Sequence, residues 1–180
     1  MFLMITMVSL KIDPTKKIIV DADVIIHFIK GEQLGILTSV FPNELYILDY
    51  VFKEVFTGQS KTQVENLIRY NRIKELKFDG DISVVTEFAK LKRRFGPGES
   101  ACMAYCRYHK DILASSNLKD IKTYCQERGI QYLTTMDFLY EAFCKNLLNE
   151  TECDTFLSMV LSKRSKLPFR SMRDYLLSLR

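Results

Sequence analysis

The sequence predicts a three-layer α/β domain built on a mostly parallel central sheet. Short runs of β-branched and aliphatic residues alternate with amphipathic stretches long enough to cross back over a sheet, which implies right-handed βαβ units with helices on both faces. The 180 residues, 47% of them hydrophobic with only 7 Gly and 4 Pro, match one domain able to bury a core without disulfides or structural metal.

Residues 17–20 (Lys-Ile-Ile-Val) form the first expected strand and lead straight into Asp21 and a helical pattern. Gly31 interrupts that pattern, and residues 34–41 resume it. Residues 45–48 are a second strand, followed by helical residues 51–56 and 61–70. Residues 73–78 mix Ile73, Leu76 and Phe78 with lysines and read as a third strand near a sheet edge. After the Asp79-Gly80-Asp81 turn, residues 82–95 are helical, and Gly96-Pro97-Gly98 breaks the chain before a helix over 99–109. Residues 111–116 form a buried-type strand, 118–128 a helix closed by Gly129, and 130–134 a last strand. Helices are expected over 136–148 and 152–162.

This composition excludes disordered, collagen-like and low-complexity classes. The apolar opening, residues 1–10, is about half the ~20 residues that a spanning helix requires, and it lacks the basic start and cleavage pattern of a secretory signal. A cytoplasmic protein without a membrane segment is expected. Phe2, Leu3, Met4, Ile5 and Val8 would be an association hazard if exposed, so the stretch either packs away or forms a homodimer interface. The five cysteines suggest reduced thiols. The net charge of +4 is concentrated in residues 161–180, where six basic side chains oppose Asp174. A basic tail on a near-neutral body is compatible with an anionic partner or with plain solvation.

In open parallel sheets, ligands bind outside the carboxyl ends of the strands, and here those positions are acidic. Asp21 and Asp23 follow the first strand, Asp49 and Glu54 the second, and Asp120 lies one helical turn after residues 111–116. Glu99 opens the helix after the glycine break. Each acid has an ordinary role open to it: Asp21 or Asp23 as a helix cap, Glu99 and Asp120 as complements to a helix dipole. Asp21 tips the balance, because a carboxylate ending a strand as apolar as Ile18-Ile19-Val20 sits at the sheet rim. Carboxylates gathered at one rim repel each other unless a cation binds between them, and hard divalent ions are the natural cations.

These residues resemble the PIN-domain nucleases. Ile19-Val20-Asp21-Ala22-Asp23-Val24-Ile25 is similar to that family's opening strand motif, Lys53-Glu54-Val55 to its second acidic position and Gly98-Glu99-Ser100-Ala101 to its third. Ser116-Asn117-Leu118-Lys119-Asp120-Ile121 resembles the Asn-x-x-Asp form of the fourth, and Gly129-Ile130 with Leu133-Thr134-Thr135 the closing strand. Many members place acids directly after the fourth strand, where this chain has Ser115, Ser116 and Asn117. The resemblance implies a PIN-like fold and metal-dependent hydrolysis of RNA phosphodiesters. Asp21, Glu54, Glu99 and Asp120 would be catalytic, with Asp21, Glu99 and Asp120 as ligands of Mg²⁺ or Mn²⁺. Asp23, Ser116 and Asn117 would stand beside them. The same resemblance admits a toxin role with an antitoxin protein partner.

Two other classes compete. Asp21-Ala22-Asp23-Val24 also fits the opening of haloacid-dehalogenase-type phosphatases, with Ser115 as the strand-end hydroxyl and Lys119 or Lys122 as the lysine, but no later acidic pair follows in order. A PIN-like module that binds RNA or protein without cutting is the other. Cys102, Cys106 and His109 share a helix face without an evident fourth zinc ligand, and core packing is favoured for the cysteines. For RNA contact, the cationic candidates are Lys92, Arg93 and Arg94 beside Glu99, and Lys163 and Arg164 in the tail. The expected organisation is an apolar extension over 1–16, the catalytic domain over 17–148 and a helical basic extension over 149–180.

Overall fold

A computed structural model describes residues 9–78 and 80–179. Five strands, β1 (Ile18–Val20), β2 (Leu45–Leu48), β3 (Lys74–Leu76), β4 (Ile112–Ala114) and β5 (Tyr132–Leu133), form one sheet in the order β3-β2-β1-β4-β5. Every pairing is parallel, with Ile18 opposite Leu45 on one side and Ile112 on the other. The central strand β1 is fully buried, as its unbroken apolar sequence requires. The lysine-rich β3 lies at an edge, as expected.

The crossovers fix the layers. Helices α1 (Ala22–Lys30) and α2 (Leu34–Leu37) join β1 to β2, and α3 (Asp49–Val55) and α4 (Gly58–Arg69) join β2 to β3. Helices α5 (Ile82–Leu91) and α6 (Pro97–His109) carry the chain back across the sheet to β4, and α7 (Leu118–Arg128) leads to β5. Right-handed connections running in opposite directions put these two sets on opposite faces. After β5, α8 (Thr135–Cys144) and α9 (Glu150–Ser162) pack with α1, and α10 (Met172–Ser178) packs on α9. The result is the three-layer α/β/α arrangement with an all-parallel sheet.

Local chemistry accounts for the departures from expectation. The helix expected over 34–41 stops at Leu37, because Thr38 and Ser39 turn their hydroxyls back onto the Leu34 and Gly35 carbonyls and Pro42 follows shortly after. The glycine-proline break is itself the helix start: Gly96 caps α6 and Pro97 takes the first helical position, where its fixed φ and missing N–H cost nothing. Glu99 therefore sits inside the first turn. Helices α8 and α9 open with capping boxes, Thr134 with Asp137 and Asn149 with Glu152.

Phe28 of α1 meets Phe156 of α9 at 4.9 Å between ring centroids and Phe138 of α8 at 6.0 Å. Gly31, at the end of α1, is required by that contact, since a Cβ there would lie 2.2 Å from Phe156 Cδ2. Of the apolar opening stretch, residues 1–8 lie outside the described residues, and the homodimer expectation falls on them. Ser9 and Leu10 are held by the buried Glu141 of α8, which accepts from the Ser9 hydroxyl and from Leu10 N at 3.0 Å. Among the described residues, no helix is long and apolar enough to cross a membrane. Replacing Gly31 by Ala must displace a ring that is 1% exposed, so urea unfolding should show a loss of about 1–3 kcal/mol. An unchanged midpoint would mean that the α1–α9 junction yields without cost.

Candidate active site

The strand order reverses at β1, which is flanked by β2 on one side and β4 on the other. This topological switch opens a crevice at the carboxyl ends of β1 and β4. Asp21 is the first residue beyond β1, and its N–H still donates to Ala114 O of β4 at 2.8 Å. Its carboxylate caps α1, accepting from Ala22 N at 2.8 Å, and the residue is only 7% exposed. The first turn of α6 closes on it from the opposite layer: a Cβ on Gly98 would lie 3.6 Å from Asp21 Oδ1 and 3.6 Å from Val51 of α3.

Three more acids join Asp21. Asp23 lies in the first turn of α1, and both of its oxygens are engaged: Oδ1 accepts from Val24 N at 2.6 Å and Oδ2 from Ser116 N at 2.8 Å. Glu99 is 8% exposed, and its Oε1 is buried with no hydrogen-bond partner among the described residues. Asp120, half-buried in the first turn of α7, accepts at Oδ2 from the Asn117 side chain at 2.8 Å. Asn117 occupies the cap position of α7 yet makes no side-chain cap bond, since its amide is turned to the carboxylates instead.

The carboxylates act on one another. Burial, then the charges of Asp21, Asp120 and Asp23, push the Glu99 carboxyl up to about 8, against a smaller opposing hydrogen bond from Asn117. Burial and the neighbouring Asp23 raise Asp21 as well. Burial also raises Asp23, although the Ser116 and Val24 amides oppose it. Glu54 lies in α3, which packs against α6 and α1, but its side chain is outside the described residues. Asp49, at the start of α3, is committed elsewhere, to Phe78 N at 2.9 Å and Lys53.

A family model, DUF3368, described as a PIN domain, matches residues 17–164. The chain belongs to the PIN-domain family. Comparison with curated proteins and with solved structures gives no match. PIN domains are in general nucleases, and they typically use divalent metals. Membership sets aside the haloacid-dehalogenase reading. Here Ser115, the residue that reading needs as a strand-end hydroxyl, is fully buried with its Oγ 3.4 Å from Asp23.

The donor set of this PIN domain fits a hard divalent ion. Glu99 Oε1 is buried without a partner among the described residues, and the nearby charges of Asp21, Asp120 and Asp23 make a cation there favourable. Among the described residues, no three His, Cys, Asp or Glu side chains are spaced to close on one ion. Cys102 and Cys106 are fully buried in the core, and His109 stacks on Tyr105 at 4.0 Å between centroids.

The basic candidates separate. Lys92, Arg93 and Arg94 are exposed in the turn between α5 and α6, five to seven residues before Glu99. Lys163 is at the opposite end of α1 from Asp21, with its ammonium on Lys30 O at 2.7 Å and 3.5 Å from Glu32. Arg164 follows it there. From sequence, His27 could reach the site from the first helix but a core or surface place was favoured, and Thr135 belonged only to the closing-strand motif; here His27 Nδ1 lies 2.8 Å from Thr135 Oγ1, which is 2.7 Å from Ser116 Oγ. His27 is separated from Thr135 by most of the chain, and no local signal joins them.

A buried carboxyl with a raised pKa binds its proton more tightly in the folded state, so folding stability falls as pH rises between the two values. For Glu99 the window runs from its ordinary 4.5 to about 8. In metal-free buffer, denaturation across that range should lose up to about 1.4 kcal/mol per pH unit for this group alone, and Glu99→Gln should flatten the profile. A variant profile parallel to the parent would show that Glu99 is not strained by its neighbours.

Proposed function

We propose that this PIN domain hydrolyses RNA phosphodiesters with Mg²⁺ or Mn²⁺. One observation carries the reading: Glu99 Oε1 is buried and unpartnered in a crevice where Asp21, Asp23 and Asp120 all oppose its ionisation. Such a site has a large unmet demand for a divalent cation. Asp21 and Glu99 would hold the ion, with Asp120 alongside and Glu54 brought near by α3. A bound ion would supply an activated water and offset charge on the scissile phosphate, so no side-chain nucleophile is needed.

The chain's own residues do the rest. Asp23, with both oxygens already bonded, ties α1 to the residues after β4. The Asn117 amide holds Asp120 in its rotamer. An acidic crevice repels a nucleic-acid strand, so positive charge must flank it, and the exposed Lys92, Arg93 and Arg94, which precede α6 in sequence, would supply it. Such lysines and arginines would contact backbone phosphate and hold a strand without reading it.

Asp21→Asn tests the site. Asn caps a helix as well as Asp does, and losing one charge from a repulsive cluster should leave stability equal or higher while hydrolysis is abolished. Parental cleavage of RNA by this variant in Mg²⁺ or Mn²⁺ would remove Asp21 from the mechanism. Tight metal-dependent RNA binding by the parent without cleavage would favour the non-catalytic module. For the flanking charge, changing Lys92, Arg93 and Arg94 together to Gln should shallow the slope of log affinity against log salt by roughly 2 to 3, similarly for unrelated RNA sequences. An unchanged slope would return the turn to plain solvated surface.

A further inference from the structure

Asp21 and Glu99 are set by β1 and α6, but Asn117 and Asp120 hang on the short connection between β4 and α7. Something must hold that connection against the start of α1. Residues 115–117 have no strand pairing after Ser115 N, which donates to Leu133 O at 3.0 Å. What continues the attachment is a ring of side-chain bonds. Ser116 N donates to Asp23, Thr135 N donates to Ser116 Oγ at 2.8 Å, and the Thr135 hydroxyl lies between Ser116 Oγ and His27 Nδ1. His27 stands one helical turn after Asp23 on α1, so the ring closes on the helix that Asp21 caps.

Resting on the reading of the crevice as a metal-dependent nuclease, we propose that Thr135, backed by His27, is a positioning residue that seats the Ser116 loop and thereby places Asp23, Asn117 and Asp120 about the ion. One arrangement pairs the Thr135 N–H and both hydroxyl hydrogens within the ring. Thr135 N–H donates to Ser116 Oγ, the Ser116 hydroxyl donates to Thr135 Oγ1, and the Thr135 hydroxyl donates to His27 Nδ1. In the reverse direction Ser116 Oγ would accept twice from Thr135, and its own hydrogen would need a further acceptor. His27 then carries its proton on Nε2. Burial, and after it the Lys30 charge, lowers His27 to about 4, which keeps the ring neutral and able to accept. Thr135 is fully buried and His27 is 6% exposed, so water does not compete for these bonds.

The test uses the full chain, with Asp21→Asn in parallel. Thr135→Val keeps the shape and removes the hydroxyl, and Thr135→Ser restores it. The valine variant should lose 10- to 100-fold in kcat with KM for RNA within about twofold, and a similar factor in Mn²⁺ affinity by calorimetry. The Ser116 amide should lose hydrogen-exchange protection in metal-free protein, and the serine variant should recover all three. His27→Leu should behave as Thr135→Val does, while His27→Asn, which can accept at the Nδ1 position, should stay near the parent. If valine at 135 prevents folding, the histidine pair decides alone. Parental kcat, Mn²⁺ affinity and Ser116 protection in the hydroxyl-free variants would overturn the proposal, as would equal losses in Thr135→Ser. A parent that does not cleave RNA would instead refute the nuclease reading, and Mn²⁺ affinity and amide protection would still report on Thr135.

Discussion

Like charges held out of water at the sheet's switch point are the constraint on which the rest of this structure turns. A carboxylate at the end of a buried strand loses most of its hydration, and Asp21 must share the remaining field with Asp23, Glu99 and Asp120. Protein groups meet part of that cost. Ala22 N serves Asp21, Val24 N and Ser116 N serve Asp23, and the Asn117 amide serves Asp120. Glu99 Oε1 is left without one among the described residues. The deficit is local, and it lies in the first turn of α6 beside Asp21.

The backbone frame that concentrates these charges is small. Strand β1 has three residues, all fully buried, and each such aliphatic side chain contributes roughly 1.5–3 kcal/mol by leaving water. Pairing with β2 and β4 on its two sides makes β1 the point of reversal, so the residue after it opens into the crevice whatever its identity. Gly98 completes the frame by setting the first turn of α6 against Asp21, where a Cβ would lie 3.6 Å from Asp21 Oδ1. With Pro97 starting that helix, Glu99 enters from the layer opposite α1.

What could be read from sequence follows from range. The five strands, the edge position of β3 and the acids after β1 depend on periodicity and on residues next to one another, and these were legible. So was Glu99, because glycines and a proline mark a helix start. The shortened α2 was not, because the Thr38 and Ser39 hydroxyls compete with the helix in a way that hydrophobic pattern does not register. The ring of Asp23, Ser116, Thr135 and His27 was legible only in part: two members were placed near the site by resemblance, but His27 and Thr135 acquire meaning only when α8 folds back onto α1. The bond from Lys163 to the Lys30 carbonyl was not legible for the same reason, since charge alone does not say which carbonyl a lysine will find.

The fate of that lysine bears on the site by way of α1. Helix ends leave carbonyls unsatisfied, and α1 and α9 meet end to end with each supplying the other's donor: Lys30 Nζ donates to Lys163 O at 2.9 Å, and Lys163 Nζ to Lys30 O at 2.7 Å. Phe156 fills the space that Gly31 leaves beside this junction. Helix α1 is only nine residues, about 13 Å, so an anchor at its carboxyl end restrains the direction of its amino end, where Asp21 and Asp23 lie. Part of the tail's positive charge thus stabilises the distant end of the one helix whose first turn carries two of the crevice's carboxylates. The tail's Lys163 and the crevice's Asp21 and Asp23 thus stand at opposite ends of one short helix.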